Sequence, residues 1–393
     1  MKIAVLSSAS GGGAGIAAYR IYQALKTYQA DNCIVDFIDM TVIGRVDDCV
    51  SPPQSATNET ISNTHYTADF ATDIRHHVIK LLLNYDAINI HWSSYLLTTA
   101  ELLELAKSGI RIVFTLHDFY YMTGGCHYPS SCRQYLKACK LCPQVNTAVM
   151  SQKEVEVAHE IKREIFAFEN VILTAPSEYI VNKALAANIV PRDRAKTIRN
   201  AYEPLANKKP VKRNDGKTHI LVIADSFYEI RKQLQLAIDG FKEAAKSNPA
   251  IVKRLAVHLV GRLDSEVVAQ LAPLGYEIRI HGHISDHEAI VDVYCGCDYL
   301  LTPSIDDNWP NILVESASYG VVPIVGPGHG CEEFVKAFKH GEVFSGYTKE
   351  AVSKSLQNAI ATKTKEVDTI FVEQSSDTHK PLKVSHEYMS VLS

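Results

Sequence analysis

Short apolar runs alternate along this chain with stretches of helical period, and the alternation occurs in two series. In the first half, Lys2–Leu6, Cys33–Ile38, Ala87–His91, Ile110–Leu116 and Val171–Ala175 read as strands. Between the first two, Ala18, Ile21, Tyr22 and Leu25 fall at i, i+3, i+4 and i+7, one face of a helix. Strands alternating with amphipathic helices predict an α/β fold with parallel sheets. A polar, turn-rich stretch from Glu203 to Lys217 reads as a linker. A second series follows, with strands expected over His219–Ala224, Leu255–Val260, Glu277–His281, Tyr299–Thr302 and Val321–Val325. Leu234, Ala237, Ile238 and Phe241 share one face of a helix between the first two of these. The tail after Thr362 is polar and weakly patterned. The pattern predicts a first domain over 1–203, a second over 204–375, and a tail over 376–393 that can return to the first. Two doubly wound halves facing a cleft place ligands at the carboxyl ends of their strands.

Composition narrows the classes. The 393 residues are 46% hydrophobic and 21% charged, with a net charge of −4. That balance is ordinary for a globular protein and gives no global attraction to nucleic acid. No apolar run approaches the roughly 18 residues that span a bilayer. The start, "MKIAVLSSAS", lacks the apolar core of a signal peptide, so a cytoplasmic location with reduced cysteines is expected.

Five segments carry candidate chemistry. In "SSASGGGAG", Gly11, Gly12, Gly13 and Gly15 join the first strand to the first helix. Glycine there lets a ligand approach the backbone, and a helix start favours an anion. Gly12 and Gly13 are the candidate contacts; the plainer reading is a turn that needs glycine. The spacing is not G-x-G-x-x-G, and the nearby acids Asp36 and Asp39 are weak evidence for a dinucleotide. His91 and His117 each end a strand, where ligand-contacting groups collect, although a lone histidine is more often structural. Cys126, Cys132, Cys139 and Cys142 include one C-x-x-C, which suits a structural zinc site; buried thiols or disulfides are the rivals. Arg231 and Lys232 precede a helix and suit a diphosphate leaving group, against a solvated charge pair. In "PSIDDNWPNILVES", Asp307 and Glu315 stand eight positions apart, with a helix start at Pro310 and Asn311. A carboxylate on the first turns of that helix suits a sugar cis-diol, and the N–H groups at its start suit a phosphate.

These motifs resemble the large family-four group of glycosyltransferases, whose mark is Glu, seven residues, Glu, here represented by Asp307 and Glu315. The resemblance covers most of the chain. The cysteine-bearing "GGCHY" segment resembles one in a subset of bacterial polysaccharide glycosyltransferases. The family resemblance implies the GT-B architecture of two Rossmann-like domains, and transfer with retention of anomeric configuration and without a catalytic divalent metal. In resembling enzymes the histidine matching His117 contacts the transferred sugar; Asp118 beside it is placed to orient that ring or the acceptor. Asp307 would contact hydroxyls of the sugar and Glu315 would hold the ribose diol. The donor-binding set implied is Gly12, Gly13, Arg231, Lys232, Gly282, His283, Asn308, Asn311, Ile312 and Glu315, with the backbone near Gly282 passing the base. The implied substrates are a UDP- or GDP-sugar and a glycan or lipid-linked saccharide acceptor, used in building O-antigen, capsule or exopolysaccharide. A lipid-linked acceptor would bring the first domain to the inner face of the cell membrane. The basic run Lys208, Lys209, Lys212 and Arg213 is a candidate for contact with anionic lipid, against a solvated linker.

Three positions depart from the family pattern. Gln233 follows the basic pair where Gly is frequent, Asp225 stands where a basic residue is often seen, and Asp307 is one methylene shorter than Glu. Asp225 and Asp307 support a second reading, a catalytically weak GT-B scaffold that partners another glycosyltransferase.

Overall fold

The structure is a computed structural model that describes residues 1–46, 49–50, 66–69, 74–145, 151–211, 213, 215–226, 229–262, 265–362 and 368–393. Lys212, part of the basic run, lies outside the described residues. The chain forms two compact units, Met1–Ala201 with His379–Ser393, and Tyr202–Thr378.

In the first unit the strands are β1 (Lys2–Ser7), β2 (Ile34–Ile38), β3 (Cys49–Val50), β4 (Ala68–Asp69), β5 (Ala87–Trp92), β6 (Arg111–Thr115), β7 (Val171–Ala175) and β8 (Ala195–Thr197). Six form a parallel sheet in the order β2-β1-β5-β6-β7-β8, while β3 and β4 make a separate antiparallel pair. Successive side chains of a strand point to opposite faces. Leu6, Ile88, Ile90, Phe114 and Leu173 therefore serve one core, while Ile3, Val5, Ala87 and Val113 serve another. With both faces covered, the central strands are apolar almost throughout. The helix Gly12–Tyr28 buries Ala18, Ile21 and Leu25 against the second face.

The weakly patterned tail belongs in part to the first unit. It forms two helices, Thr369–Thr378 and Pro381–Leu392. The second buries Val384, Tyr388, Val391 and Leu392 in the first unit, beside Ala18 and Ile21. These four residues fall at i, i+4, i+7 and i+8, a stripe wide enough to pack.

In the second unit the strands are β9 (Thr218–Ser226), β10 (Leu255–Arg262), β11 (Glu277–Gly282), β12 (Tyr299–Thr302), β13 (Val322–Val325) and β14 (Glu342–Val343). They form a parallel sheet in the order β11-β10-β9-β12-β13-β14. Counted within this sheet the order is 3-2-1-4-5-6, that of the dinucleotide folds. The helix Leu234–Ser247 buries Leu234, Ala237, Ile238 and Phe241. The order reverses between β9 and β12, and a crevice opens at the carboxyl ends of strands at such a point. In the first unit the reversal lies between β1 and β5.

Candidate active site

In the second unit, the reversal point gathers charge. The turn Ile230–Lys232 follows β9, and the backbone N–H of Ile305, beyond β12, donates to the carbonyl of Arg231 at 2.8 Å. Asp307 then sits between two cations. Its Oδ1 accepts from Arg231 Nη1 at 2.6 Å and its Oδ2 from Lys232 Nζ at 2.8 Å. Burial alone would raise the carboxyl of Asp307, but Lys232 and Arg231 outweigh it and hold the group well below the usual carboxylate range. Arg231 also donates through Nε to Glu229 Oε1 at 2.7 Å. Sequence reading gave the acid to the sugar and the cations to the diphosphate. The structure brings all three together as one ion-paired cluster.

Gln233 has φ +51°, in the left-handed region. That conformation costs a residue with a Cβ roughly 1 kcal/mol and glycine almost nothing. A glycine at this position would relieve that backbone cost.

Beyond Asp307, Asn308 is buried and Trp309 packs on Phe334 with ring centroids 5.0 Å apart. The helix Asn311–Ala317 starts after Pro310 and spans only two turns. Ile312 packs partly buried against the core, while Glu315 is buried and its Oε2 accepts from Tyr294 Oη at 2.9 Å. Tyr294 is a residue that sequence reading missed, because nothing in local spacing links it to Glu315.

The helix Gly330–Phe338 is pressed against this segment. The N–H of Gly330 donates to the carbonyl of Asp307 at 3.0 Å, and a Cβ at Gly330 would lie 1.3 Å from the Asn308 carbonyl oxygen. Backbone on backbone cannot yield cheaply. Gly330→Ala is expected to destabilise the protein by about 3 kcal/mol and to displace Asp307 and Asn308. Thermal melting against the natural protein checks this, and an unchanged melting temperature would contradict the close packing.

Gly282 ends β11 at φ +68°, with nothing within 4 Å of where a Cβ would stand. His283 Nε2 lies 3.1 Å from Asp225 Oδ1, and Arg262 Nη2 lies 3.2 Å from the same oxygen. The acid at position 225 thus faces a cation supplied by the end of the neighbouring strand. Arg262 was not singled out from sequence, because its partner is set by sheet pairing across 37 residues.

In the first unit, the glycine loop opens the helix Gly12–Tyr28 with Gly11 as its N-cap. Gly12 has φ +69°, and Gly11, Gly12 and Gly13 have nothing within 4 Å of a notional Cβ. Gly15 differs, since its Cβ would lie 2.3 Å from the Ala9 carbonyl oxygen. Two reasons for glycine coexist in this loop: open backbone at 11–13 and tight packing at 15.

His91 and His117 do come together, with His91 Nδ1 2.8 Å from His117 Nε2. Burial lowers the affinity of both rings for a second proton, and for His91 the neighbouring His117 lowers it further. Asp118 has partners that the sequence did not show. Its Oδ1 accepts from the N–H of Tyr120 at 2.7 Å and its Oδ2 bonds His127 Nδ1 at 2.7 Å. His127 lies flat between Trp92 and Tyr120, at centroid distances of 4.5 and 4.9 Å, and its Nε2 meets Thr67 Oγ1 at 2.9 Å. The carboxylate of Asp118 therefore braces the "GGCHY" segment through His127, a partner that sequence reading did not consider.

Cys126, Cys132, Cys139 and Cys142 line one small cavity with Tyr66, Tyr135 and Val155. Burial raises the thiols of Cys126, Cys139 and Cys142, the second to about 11, and mutual proximity adds to it. Gln144 Nε2 donates to Cys126 Sγ at 3.1 Å. Among the described residues, no group of three or more His, Cys, Asp or Glu is arranged to hold a metal ion. Elemental analysis separates the readings. We expect free thiols that react slowly with a thiol reagent at neutral pH until the protein unfolds. About one zinc per chain would restore the tetrathiolate.

Of the basic run, Lys208 is taken up by Asp292 at 2.6 Å and Glu288 at 2.9 Å, and Arg213 donates to the Gly296 carbonyl at 3.0 Å. These cations serve the second unit's own structure. Among the described residues, no helix is long and apolar enough to cross a membrane.

Residues 206–374, nearly the whole second unit, match the family of glycosyl transferases group 1. The fold is GT-B. It is shared with sucrose-phosphate synthase from Thermosynechococcus elongatus, at a TM-score of 0.66 and 15% identity over 100% of this chain and 98% of that one. Anabaena HepE in complex with UDP and glucose has the same fold, at a TM-score of 0.64 and 17% identity over 100% and 99%. The putative colanic acid biosynthesis glycosyl transferase WcaC of Escherichia coli K12 is 24% identical over 260 residues. That stretch covers 62% of this chain and 59% of the relative, so the likeness spans less than two thirds of that protein.

Proposed function

We propose that this protein is a retaining glycosyltransferase that moves a sugar from a nucleoside-diphosphate donor to a glycan or lipid-linked saccharide in surface polysaccharide assembly. One observation carries the reading. In the segment that matches the glycosyltransferase family, Arg231, Lys232 and Asp307 form a single cluster at the strand-order reversal, with buried Glu315 eight positions on. The solved complex of Anabaena HepE holds UDP and glucose, and a relative of this chain bears a name from colanic acid synthesis.

In this reading Glu315 accepts both hydroxyls of the ribose. Tyr294 fixes its carboxylate from the far side. Arg231 and Lys232 bind the diphosphate and stabilise the charge that grows on it as the sugar–phosphate bond breaks. Asp307 holds the two cations in place before donor arrives and turns to the sugar hydroxyls once the diphosphate takes them over. The acceptor hydroxyl attacks on the face from which the diphosphate leaves, and the leaving phosphate oxygen receives its proton. No metal takes part in this scheme. UDP and GDP remain the two donor classes, and any membrane contact is through a lipid-linked acceptor.

A second reading, a weak scaffold that partners another glycosyltransferase, draws on the same cluster. In it, Asp307 permanently neutralises Arg231 and Lys232. Thermal shift of the purified protein with a panel of UDP- and GDP-sugars and the free nucleotides decides between them. A donor at a hundred times its dissociation constant is expected to stabilise the protein by about 2.7 kcal/mol, and to do so equally in EDTA. Stabilisation by one nucleotide names the base. No stabilisation by any member favours the scaffold, and a requirement for magnesium would contradict the metal-free scheme.

A further inference from the structure

A chain of polar side chains crosses the core of the first unit, and its hydrogen-bond directions can be worked out from one end. Asn89 is fully buried in the middle of β5. Its Nδ2 lies 3.0 Å from the Val113 carbonyl and 2.8 Å from Thr115 Oγ1. A carbonyl oxygen only accepts, so the nitrogen of this amide must face it and Oδ1 must face the other way. Oδ1 lies 2.7 Å from His91 Nε2. Oδ1 cannot donate, so His91 Nε2 carries the hydrogen. His91 is buried and neutral, so it has a single N–H and its Nδ1 is an acceptor. That Nδ1 is 2.8 Å from His117 Nε2, which must therefore be the donor. The reverse assignment would set two carbonyl oxygens against each other at Val113 or two lone pairs between the rings.

We infer that Asn89 and His91 are positioning residues that fix His117 as the Nε2–H tautomer, so that His117 Nδ1 meets a ligand as a hydrogen-bond acceptor. The group it takes is then a hydroxyl or another donor, not a phosphate, carboxylate or carbonyl oxygen. That this hydroxyl belongs to a sugar rests on the function proposed above; the tautomer does not. The relay is anchored beneath. Thr115 Oγ1 also meets Thr174 Oγ1 at 2.8 Å and Tyr388 Oη at 3.2 Å, so the C-terminal helix closes the same network.

The test is a two-bond proton–nitrogen correlation spectrum of the full chain labelled with nitrogen-15 in histidine. His91→Gln and His117→Gln assign the two rings. The natural protein at neutral pH is expected to show His117 as one tautomer, with hydrogen on Nε2 and Nδ1 bare. Asn89→Leu removes the acceptor that sets the direction, and the single-tautomer pattern of His117 is expected to be lost. Hydrogen on Nδ1 of His117 in the natural protein would overturn the inference, as would an unchanged His117 pattern in folded Asn89→Leu. Should Asn89→Leu not fold, the spectrum of the natural protein alone decides. Failure of every sugar nucleotide to bind would strike the proposed function and leave the tautomer result standing.

Discussion

Asp307→Asn is expected to bind free UDP or GDP more tightly than the natural protein while losing sugar transfer. The carboxylate engages Arg231 at 2.6 Å and Lys232 at 2.8 Å, and all three side chains are largely shielded from water. A diphosphate must compete with that carboxylate for the same two cations. The amide keeps the shape but removes the competing charge. Affinity for the free nucleotide should rise about tenfold, or ~1.4 kcal/mol. Transfer should fall on the order of a hundredfold, because the sugar loses the group that positions it. The variant should also melt at a lower temperature, since two cations are left close together without their carboxylate. Calorimetric titration with the free nucleotide at two salt concentrations, a transfer assay and thermal melting separate the three effects. Unchanged or weaker nucleotide binding would mean that Arg231 and Lys232 do not hold the diphosphate.

Glu315→Ala should abolish donor binding. Two hydrogen bonds from the ribose diol to a buried carboxylate are worth roughly 1.5–3 kcal/mol each. Their joint loss is at least a hundredfold in affinity on that scale. Part of the cost has another origin, because Tyr294 Oη loses its 2.9 Å acceptor in a buried site. Glu315→Gln keeps an oxygen for Tyr294 and separates the two contributions. It should retain the natural melting temperature and still bind donor weakly. Donor affinity near that of the natural protein in Glu315→Ala would remove the ribose role and, with it, the main support for the proposed site.

The fold was legible to different depths in different places. The central strands were visible because a parallel strand covered on both faces is a nearly unbroken apolar run, while the edge strands Ile34–Ile38 and Glu277–Gly282 were long enough to show apolar residues among polar ones. The edge strands Ala195–Thr197 and Glu342–Val343 are too short to carry a period, and their pairing comes from the neighbouring strand. The last helix was hidden by the polar stretch before it, although its four buried apolar and aromatic residues keep helical spacing. The candidate site was legible as residue types and not as partners. Asp307, Glu315, Arg231 and Lys232 could be named from spacing, while Tyr294, Arg262 and Asn89 could not. Asn89 did leave one signal, a residue depleted in strands placed inside an apolar one.

The sequence by itself therefore determined where the longer strands lie, that they divide into two α/β series, and which side chains are candidates for sugar and phosphate recognition. These follow from periodicity and residue type, which are local properties. Tertiary structure alone decided that Asp307 is held by both cations, that Asp118 is bonded to His127, and that Asn89 directs a relay of two imidazoles. Each of these joins atoms from different strands or loops, and a hydrogen bond or ion pair is fixed by distance and direction in space, which spacing along the chain does not encode.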